Sequence, residues 1–400
     1  MANVSSSNGL EKYPKLRFKG FSEPWNAIRF GDIVDEYSDR TKEEDEDILL
    51  SAAIEGMFLN SELFDHQRGA SNKGYKKIDI GTLVLSTQNL HLGNANVNLR
   101  FEHGMVSPAY KTYHIHDCSI GLIAEWVKSE KAKRFFYDAT TVGASVCRRN
   151  VEWDTLYDQP LYLPSEAEQE RLAAFLTALS TRIKKQTELV EHLKKYKRGV
   201  YKSIFANSRL DCKWISLGEL CEIITKGTTP QSFLTEGTIR YIKIESIVDG
   251  HIVNENCKFI DQDTHEGALS RSILKEGDIL FSIAGSLGVC VIVQPSNLPA
   301  NTNQALAIIR LKETENRNYI LSVLRSSLME EYILASRTTG AQPNLSLQQM
   351  RDFKLPYPNS DEQQKIALLA ELMEKRLSFE QRKLENLIDI KSALLQQLFI

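Results

Sequence analysis

Residues 165–206 read SEAEQERLAAFLTALSTRIKKQTELVEHLKKYKRGVYKSIFA, and a second edition of the stretch closes the chain from Ser360 to Ile400. Moved by 194 positions, Glu168-Gln169 falls on Glu362-Gln363, Leu172-Ala173 on Ile366-Ala367, Leu193 on Leu387, Lys197 on Lys391 and Ile204-Phe205 on Leu398-Phe399. Each copy comes after a proline, Pro164 or Pro358, and opens on Ser165 or Ser360 and acidic residues, which suit the positive end of a helix. Apolar residues then recur in steps of three and four: Leu172, Leu176, Leu179, Ile183, Val190, Leu193, Tyr196, Val200 and Ile204 in the first copy. In the second they are Ile366, Leu369, Met373, Leu377, Leu384, Leu387, Ile390, Leu394 and Leu398. A helix of roughly forty residues is about 60 Å long, and a seam of that length packs on a partner helix.

The partner for each copy is the other. The first must end where the second half of the chain begins and the last must start where that half ends, so the pair is expected to run antiparallel, related by a pseudo-twofold axis. Both seams are interrupted at the same place, Gln186-Thr187 and Glu380-Gln381, and Gln186, Glu380 and Gln381 are expected to form a polar layer that fixes helix register. The fold class expected is α+β: two mixed globular domains separated by a two-helix coiled coil. The boundaries read as an N-terminal segment 1–20, a first domain 21–164, a central helix 165–207, a second domain 208–358 and a final helix 359–400.

Composition is that of an ordinary globular protein, 42% hydrophobic and 25% charged. A net charge of −3 argues against coating nucleic acid by bulk electrostatics, so any such binding is local. The central stretch is the more basic, with nine Lys and Arg against five Glu, while the final one has six against seven Asp and Glu. No apolar run is long enough for a membrane span and Met1 to Lys12 lacks the apolar core of a signal peptide, which points to the cytoplasm. Six cysteines without a CxxC pair read as reduced and structural.

Within the first half, Trp25, Ile28, Phe30, Gly31 and Ile33 read as a strand and turn, and Trp214, Ile215, Leu217, Gly218 and Leu220 repeat the device. Ile48 to Ile54 reads as a buried strand, with others at Leu83 to Ser86 and Lys111 to Ile115. A basic tract between them carries Arg68, Lys73, Tyr75 and Lys76, and a polar one carries Gln88, Asn89, His91, Asn94, Asn96 and Asn98. Cations suit phosphate and amides suit base edges, although the first tract also reads as a solvated loop and asparagines also build turns. In the second half, strands are expected within Gly237 to Ile247, Ile252 to Phe259, Asp278 to Ile283 and Ala305 to Leu311, and one helix from Tyr319 to Leu334. Its loops offer Lys226, Thr228, Thr229, Ser286, Asn303, Gln304, Thr339, Gln342 and Asn344 at strand ends.

No GxGxxG opens a helix and no GxxxxGK[ST] occurs, so neither a dinucleotide nor a triphosphate site is signalled. Asp158-Gln159-Pro160-Leu161-Tyr162 lacks the second proline of the motif by which amino-methyltransferases hold a base. His114 and His116 share a strand face without a third ligand nearby in sequence, and no metal site is expected.

Two diverged domains, each introduced by Trp and Gly and each followed by a proline and a long helix headed Glu-Gln, resemble the specificity subunit of a type I restriction-modification system. Its local marks are PKLRFKGF near the start, Gly104-Met105-Val106-Ser107-Pro108-Ala109-Tyr110, Lys226-Gly227-Thr228-Thr229-Pro230 and Gly277-Asp278-Ile279-Leu280-Phe281-Ser282. The resemblance implies two target-recognition domains, each reading one half of an asymmetric bipartite site in double-stranded DNA. It implies helices that act as spacer and as docking surface for two methyltransferase subunits, which bring S-adenosylmethionine, and for restriction and motor subunits that use ATP and Mg2+. This chain would itself be non-catalytic and bind none of these cofactors. Two rival readings are a coiled-coil scaffold with two non-DNA interaction domains and a fragment of a self-contained DNA methyltransferase.

Overall fold

The expected long helices form: Glu166–Ile204, the central helix, and Ser360–Leu398, the final helix, are each 39 residues long. The computed structural model describes residues 2–3, 13–64, 71–145, 148–205, 212–336 and 344–400. These form two compact units, one of Met1–Thr187 with Lys383–Ile400, the other Glu188–Arg382, so each unit owns half of each long helix.

The Glu-Gln pair that marks both helices acts mainly through its glutamine. Gln169 Nε2 donates to the carbonyl of Pro164 and Gln363 Nε2 to that of Pro358, both at 3.0 Å, locking the first turn onto the strand that feeds it. Asn359, rather than Ser360, caps the final helix by accepting the Glu362 N–H at 3.0 Å. The glutamates diverge: Glu362 is exposed, whereas Glu168 takes a two-pronged bond from buried Arg17 at 2.8 and 2.7 Å.

In the first unit, an antiparallel sheet runs in the order Val34–Tyr37, Tyr110–Ile115, Leu83–Ser86, Ala95–Val97. One core joins Trp25, Phe30, Leu83, Tyr113, Trp126 and Phe136 to Leu172 and Leu176 of the central helix and Leu395 and Leu398 of the final one. The helix halves run in opposite directions here. Lys391 Nζ lies 2.6 Å from Ser180 Oγ and 2.7 Å from Glu125 Oε2, which ties both helices to the domain.

The second unit repeats the plan. Its sheet runs Cys221–Lys226, Leu306–Leu311, Ile279–Ser282, Cys290–Ile292, again antiparallel throughout. Tyr201 and Phe205 of the central helix and Ile366, Ala367 and Ala370 of the final helix join its core. Lys197, the repeat equivalent of Lys391, bonds Glu374 at 2.7 Å, and Arg325 approaches the same carboxylate at 3.4 Å. The paired glycines serve one purpose. A Cβ on Gly31 would lie 2.9 Å from Tyr157 Cβ, and one on Gly218 would lie 3.2 Å from the Arg351 carbonyl, so each lets a short helix pack against the backbone.

Several local expectations are corrected. Tyr196 of the central helix is 66% exposed; on the final helix Leu369 is 42% and Ile390 51% exposed, so that helix's seam passes through Ala370 and the half-buried Lys391 instead. Apart from these, Gln186 and Glu380 are buried polar residues. Ile48 and Ile54 are exposed, and the strand between them is only Leu50–Ala53, hairpinned with Gly56–Leu59. The stretch 252–259 is broken by a 3-10 turn, Asn254–Asn256. The helix expected from Tyr319 to Leu334 is two, Arg317–Leu324 and Ser327–Ala335, because the chain turns at Arg325, whose guanidinium bonds the carbonyls of Gly250 and Cys290.

Removing one partner of the buried Arg17–Glu168 pair strands a charge, a loss of about 3–5 kcal/mol. Arg17→Ala is therefore expected to lower the unfolding free energy of the first unit, read from its urea transition, by that amount, and the Arg17→Met/Glu168→Leu double variant to regain most of it. Tryptophan fluorescence reads this directly, since Trp25, Trp126 and Trp153 lie in the first unit and Trp214 alone in the second.

Candidate nucleic-acid interface

Antiparallel pairing brings the ends of alternate strands to one sheet edge, and in both units that edge gathers polar loops. In the first unit Ser86 pairs with Tyr110 and Leu85 with Ala95, so the 87–94 loop and the 107–109 turn sit side by side. The result is a cavity of about 300 Å³ lined in part by Tyr75, Gln88, Asn89, Asn94, Asn60 and Tyr110. Four residues singled out in the sequence thus meet in one concavity. Asn60 and Tyr110 were missed as candidates, although Ser107-Pro108-Ala109-Tyr110 had been noted as a motif.

The amides divide sharply by environment. Gln88 and Asn89 are exposed, whereas Asn94, Asn96 and Asn98 are buried. Asn96 Nδ2 donates to the Ala53 carbonyl at 2.7 Å and Asn94 Nδ2 to that of Ala52 at 3.4 Å, fastening the 50–59 hairpin over the sheet edge. Asn98 donates to the carbonyls of Asp79 and Phe101 at 3.0 and 2.9 Å and accepts two backbone N–H groups in return. Alternation along a strand spaces these asparagines two apart on one face, a signal that in this sequence marks structure. Lys73 is exposed, but Lys76 is 5% exposed and burial pushes its ammonium below the usual lysine range. His91 is half-buried, and burial first, then the Arg149 cation, pushes its imidazole down. Arg68 lies outside the described residues.

In the second unit, Lys226 pairs with Ala307 and Ser282 with Leu306, which puts the 227–229 loop, the 303–305 turn and the 283–288 loop at the equivalent edge. Gly227 makes this possible: its N–H donates to Asn303 O at 3.1 Å, and a Cβ there would fall 1.8 Å from Thr302 O. Thr229 Oγ1 bonds Gln304 Oε1 at 2.5 Å, and exposed Arg271, unforeseen from the sequence, donates to Thr228 Oγ1 at 2.9 Å. Ser286 is exposed and its carbonyl accepts from Ser282 Oγ. Asn344 is exposed next to Leu345, whose N–H reaches Ile283 O at 2.9 Å. Thr339 and Gln342 lie outside the described residues.

Among the described residues no three His, Cys, Asp or Glu are arranged to hold a metal ion. His114 stacks on Tyr37 with centroids 4.0 Å apart, and His116 bonds Asp117 at 2.9 Å. Burial pushes the Cys118 and Cys221 thiols up to about 12, away from nucleophilic use. No helix among the described residues is long and apolar enough to cross a membrane.

Comparison with known proteins follows the same line. Residues 210–388 match the family described as type I restriction modification DNA specificity domain. The chain is 22% identical over 284 residues to the type I restriction enzyme MjaVIII specificity subunit of Methanocaldococcus jannaschii, a match covering 66% of this chain and 63% of that protein. It is 26% identical over 131 residues to the MjaIX specificity subunit of the same organism, covering 33% and 30%. The matched stretch is thus less than two thirds of either relative. In fold, it is similar to the S subunit of a type I restriction-modification system from M. genitalium, with TM-score 0.59 and 16% identity over 97% of this chain and 99% of that one. A chain solved in a study of type I R-M complex assembly gives 0.58 at 16% identity, covering 95% and 98%.

Asn96→Ala removes a buried amide that satisfies the Ala53 carbonyl, a loss of about 1–2 kcal/mol. Amide hydrogen exchange in 50–59 is expected to speed up roughly ten-fold at the lower part of that range. Gln88→Ala, at an exposed position, should leave the hairpin's exchange unchanged.

Proposed function

We infer that this chain belongs to the family of type I restriction-modification specificity subunits and is the DNA-reading, non-catalytic subunit of such a complex. One observation carries the reading: the same edge of two like-built sheets is dressed with unlike side chains. Tyr75, Gln88 and Asn89 occupy it in the first unit, and Thr228, Thr229 and Gln304 in the second. Like scaffolds with unlike hydrogen-bonding groups suit an asymmetric bipartite site in double-stranded DNA, each unit reading one half by amide and hydroxyl contacts in the major groove. The remaining loop candidates, Lys73, His91, Lys226, Ser286, Asn303 and Asn344, lie beside these readers in sequence or at the same strand ends, and Arg68, Thr339 and Gln342 belong with them by loop.

The long helices set the spacer between half-sites and dock two methyltransferase subunits, with restriction and motor subunits joining the assembly in the cytoplasm. S-adenosylmethionine, ATP and Mg2+ belong to those partners. Buried Lys76 and Asn94 support the reading surface from beneath instead of touching bases.

The test is co-expression with the neighbouring methyltransferase and mapping of methylated adenines in the host genome. Gln88→Ala with Asn89→Ala should relax one half-site and leave the other intact, and Gln304→Ala should do the reverse, each altered base position losing about 1–3 kcal/mol of discrimination. Changes in both halves from either variant would sink the modular reading. The purified chain alone should transfer no methyl group.

Four residues inserted near Lys185 add about 6 Å of helix against about 3.4 Å per base pair. The mapped spacer should then grow by one or two pairs with both half-sites unchanged. An active variant with the parent's spacer would show that the helices do not measure distance.

A further inference from the structure

Beside the reading loops of the second unit lies a row of cations that neither the loops nor the family match assigns. A three-stranded sheet there runs Lys258–Ile260, Ile239–Ile242, Ala300–Thr302, the last two parallel. Ile242 is in register with Thr302, so the residues that follow, Lys243 and Asn303, leave the sheet at the same end. Lys258, paired with Tyr241 at the start of its antiparallel strand, sits at that end too.

Phe233 organises the two lysines. Lys258 Nζ stands 4.7 Å and Lys243 Nζ 5.1 Å from its ring centroid, and the ring itself packs on Tyr241 at 5.1 Å. Tyr241 in turn donates from its hydroxyl to the Thr228 carbonyl at 2.9 Å, and Thr228 Oγ1 holds Arg271. The three cations therefore form one connected ridge that borders Thr228, Thr229 and Gln304. Glu245, 3.6 Å from Lys243 and 69% exposed, is too solvated to neutralise the row.

We propose that Lys243, Lys258 and Arg271 form a phosphate-binding ridge, oriented by Phe233, that grips the DNA backbone while the adjacent loop reads base edges. Lysines are costly to order, and an aromatic face that gathers two of them lowers the entropy lost when each meets a phosphate. Arg271, with one nitrogen spent on Thr228, keeps further N–H groups for a phosphate and links grip to reader. The assignment rests on the DNA-reading function above, and it predicts affinity without sequence information.

The experiment uses the full chain in complex with its co-expressed methyltransferase and a labelled random duplex of about 30 base pairs, titrated at salt from about 50 to 200 mM. Each phosphate contact contributes about 0.9 to the slope of log affinity against log salt. The Lys243→Gln/Lys258→Gln/Arg271→Gln variant should lower that slope by about 2 to 3 and leave the mapped methylation sequence unchanged. Returning charge as Lys243→Arg/Lys258→Arg with Arg271 intact should restore it, and Lys354→Gln, exposed on another sheet of the unit, should not change it. Far-ultraviolet dichroism and the urea midpoint confirm that the variants are folded. A parent and triple variant with equal slopes, or a triple variant that methylates a different sequence, overturns the ridge alone. A parent complex that binds no duplex overturns the DNA-reading function and the ridge together.

Discussion

Two lysines one repeat apart, Lys197 and Lys391, hold each globular part to its helices, and the placing of the strand-end loops follows from that hold. Each ammonium lies against a carboxylate at 2.7 Å, but the carboxylate has changed its owner. In the first unit it is Glu125 of the domain, with Ser180 of the central helix as third partner; in the second it is Glu374 of the final helix, with Arg325 of the domain. Ser180 and Glu374 are themselves repeat equivalents. The duplication kept the cation and let the acid cross the helix–domain boundary. Either arrangement gives the lysine a carboxylate at a half-buried spot where an unpaired ion would be costly.

That hold explains why the loops are free to differ. Core, clamp and proline-to-helix lock are satisfied by residues on strands and helices, so the sheet edge carries little of the fold's stability and tolerates change. The exceptions show the rule. Asn94, Asn96 and Asn98 sit in the loop region yet are committed to backbone carbonyls, and Gly227 is committed to close approach.

Long-range periodicity made the helices and the internal repeat legible from sequence, because a seam of apolar residues every three or four positions has few other meanings. The glutamine lock and the paired glycines were visible as marks, though what they hold became clear only in three dimensions. The site was half legible. Chemistry of side chains picked out Gln88, Asn89, Thr229 and Gln304, which are exposed, but it could not separate them from Asn94, an amide that is buried, nor exposed Lys73 from buried Lys76. Burial depends on which hairpin lies over which edge, a fact of tertiary packing. Arg271 and Phe233 were missed for the converse reason: nothing local distinguishes a cation or ring whose partners are 8 to 43 positions away.

The ownership of the helices by halves has a consequence for biosynthesis. The second unit is one continuous run, Glu188 to Arg382, and all of it has been made before the ribosome reaches Lys383. The first unit, although it starts the chain, is incomplete until the last eighteen residues appear, because Lys391, Leu395 and Leu398 belong to its clamp and core. The part translated first is therefore the part finished last, and it must wait with the apolar faces of Leu172 and Leu176 uncovered. A premature stop before Lys391 would injure the domain formed by the early part of the sequence.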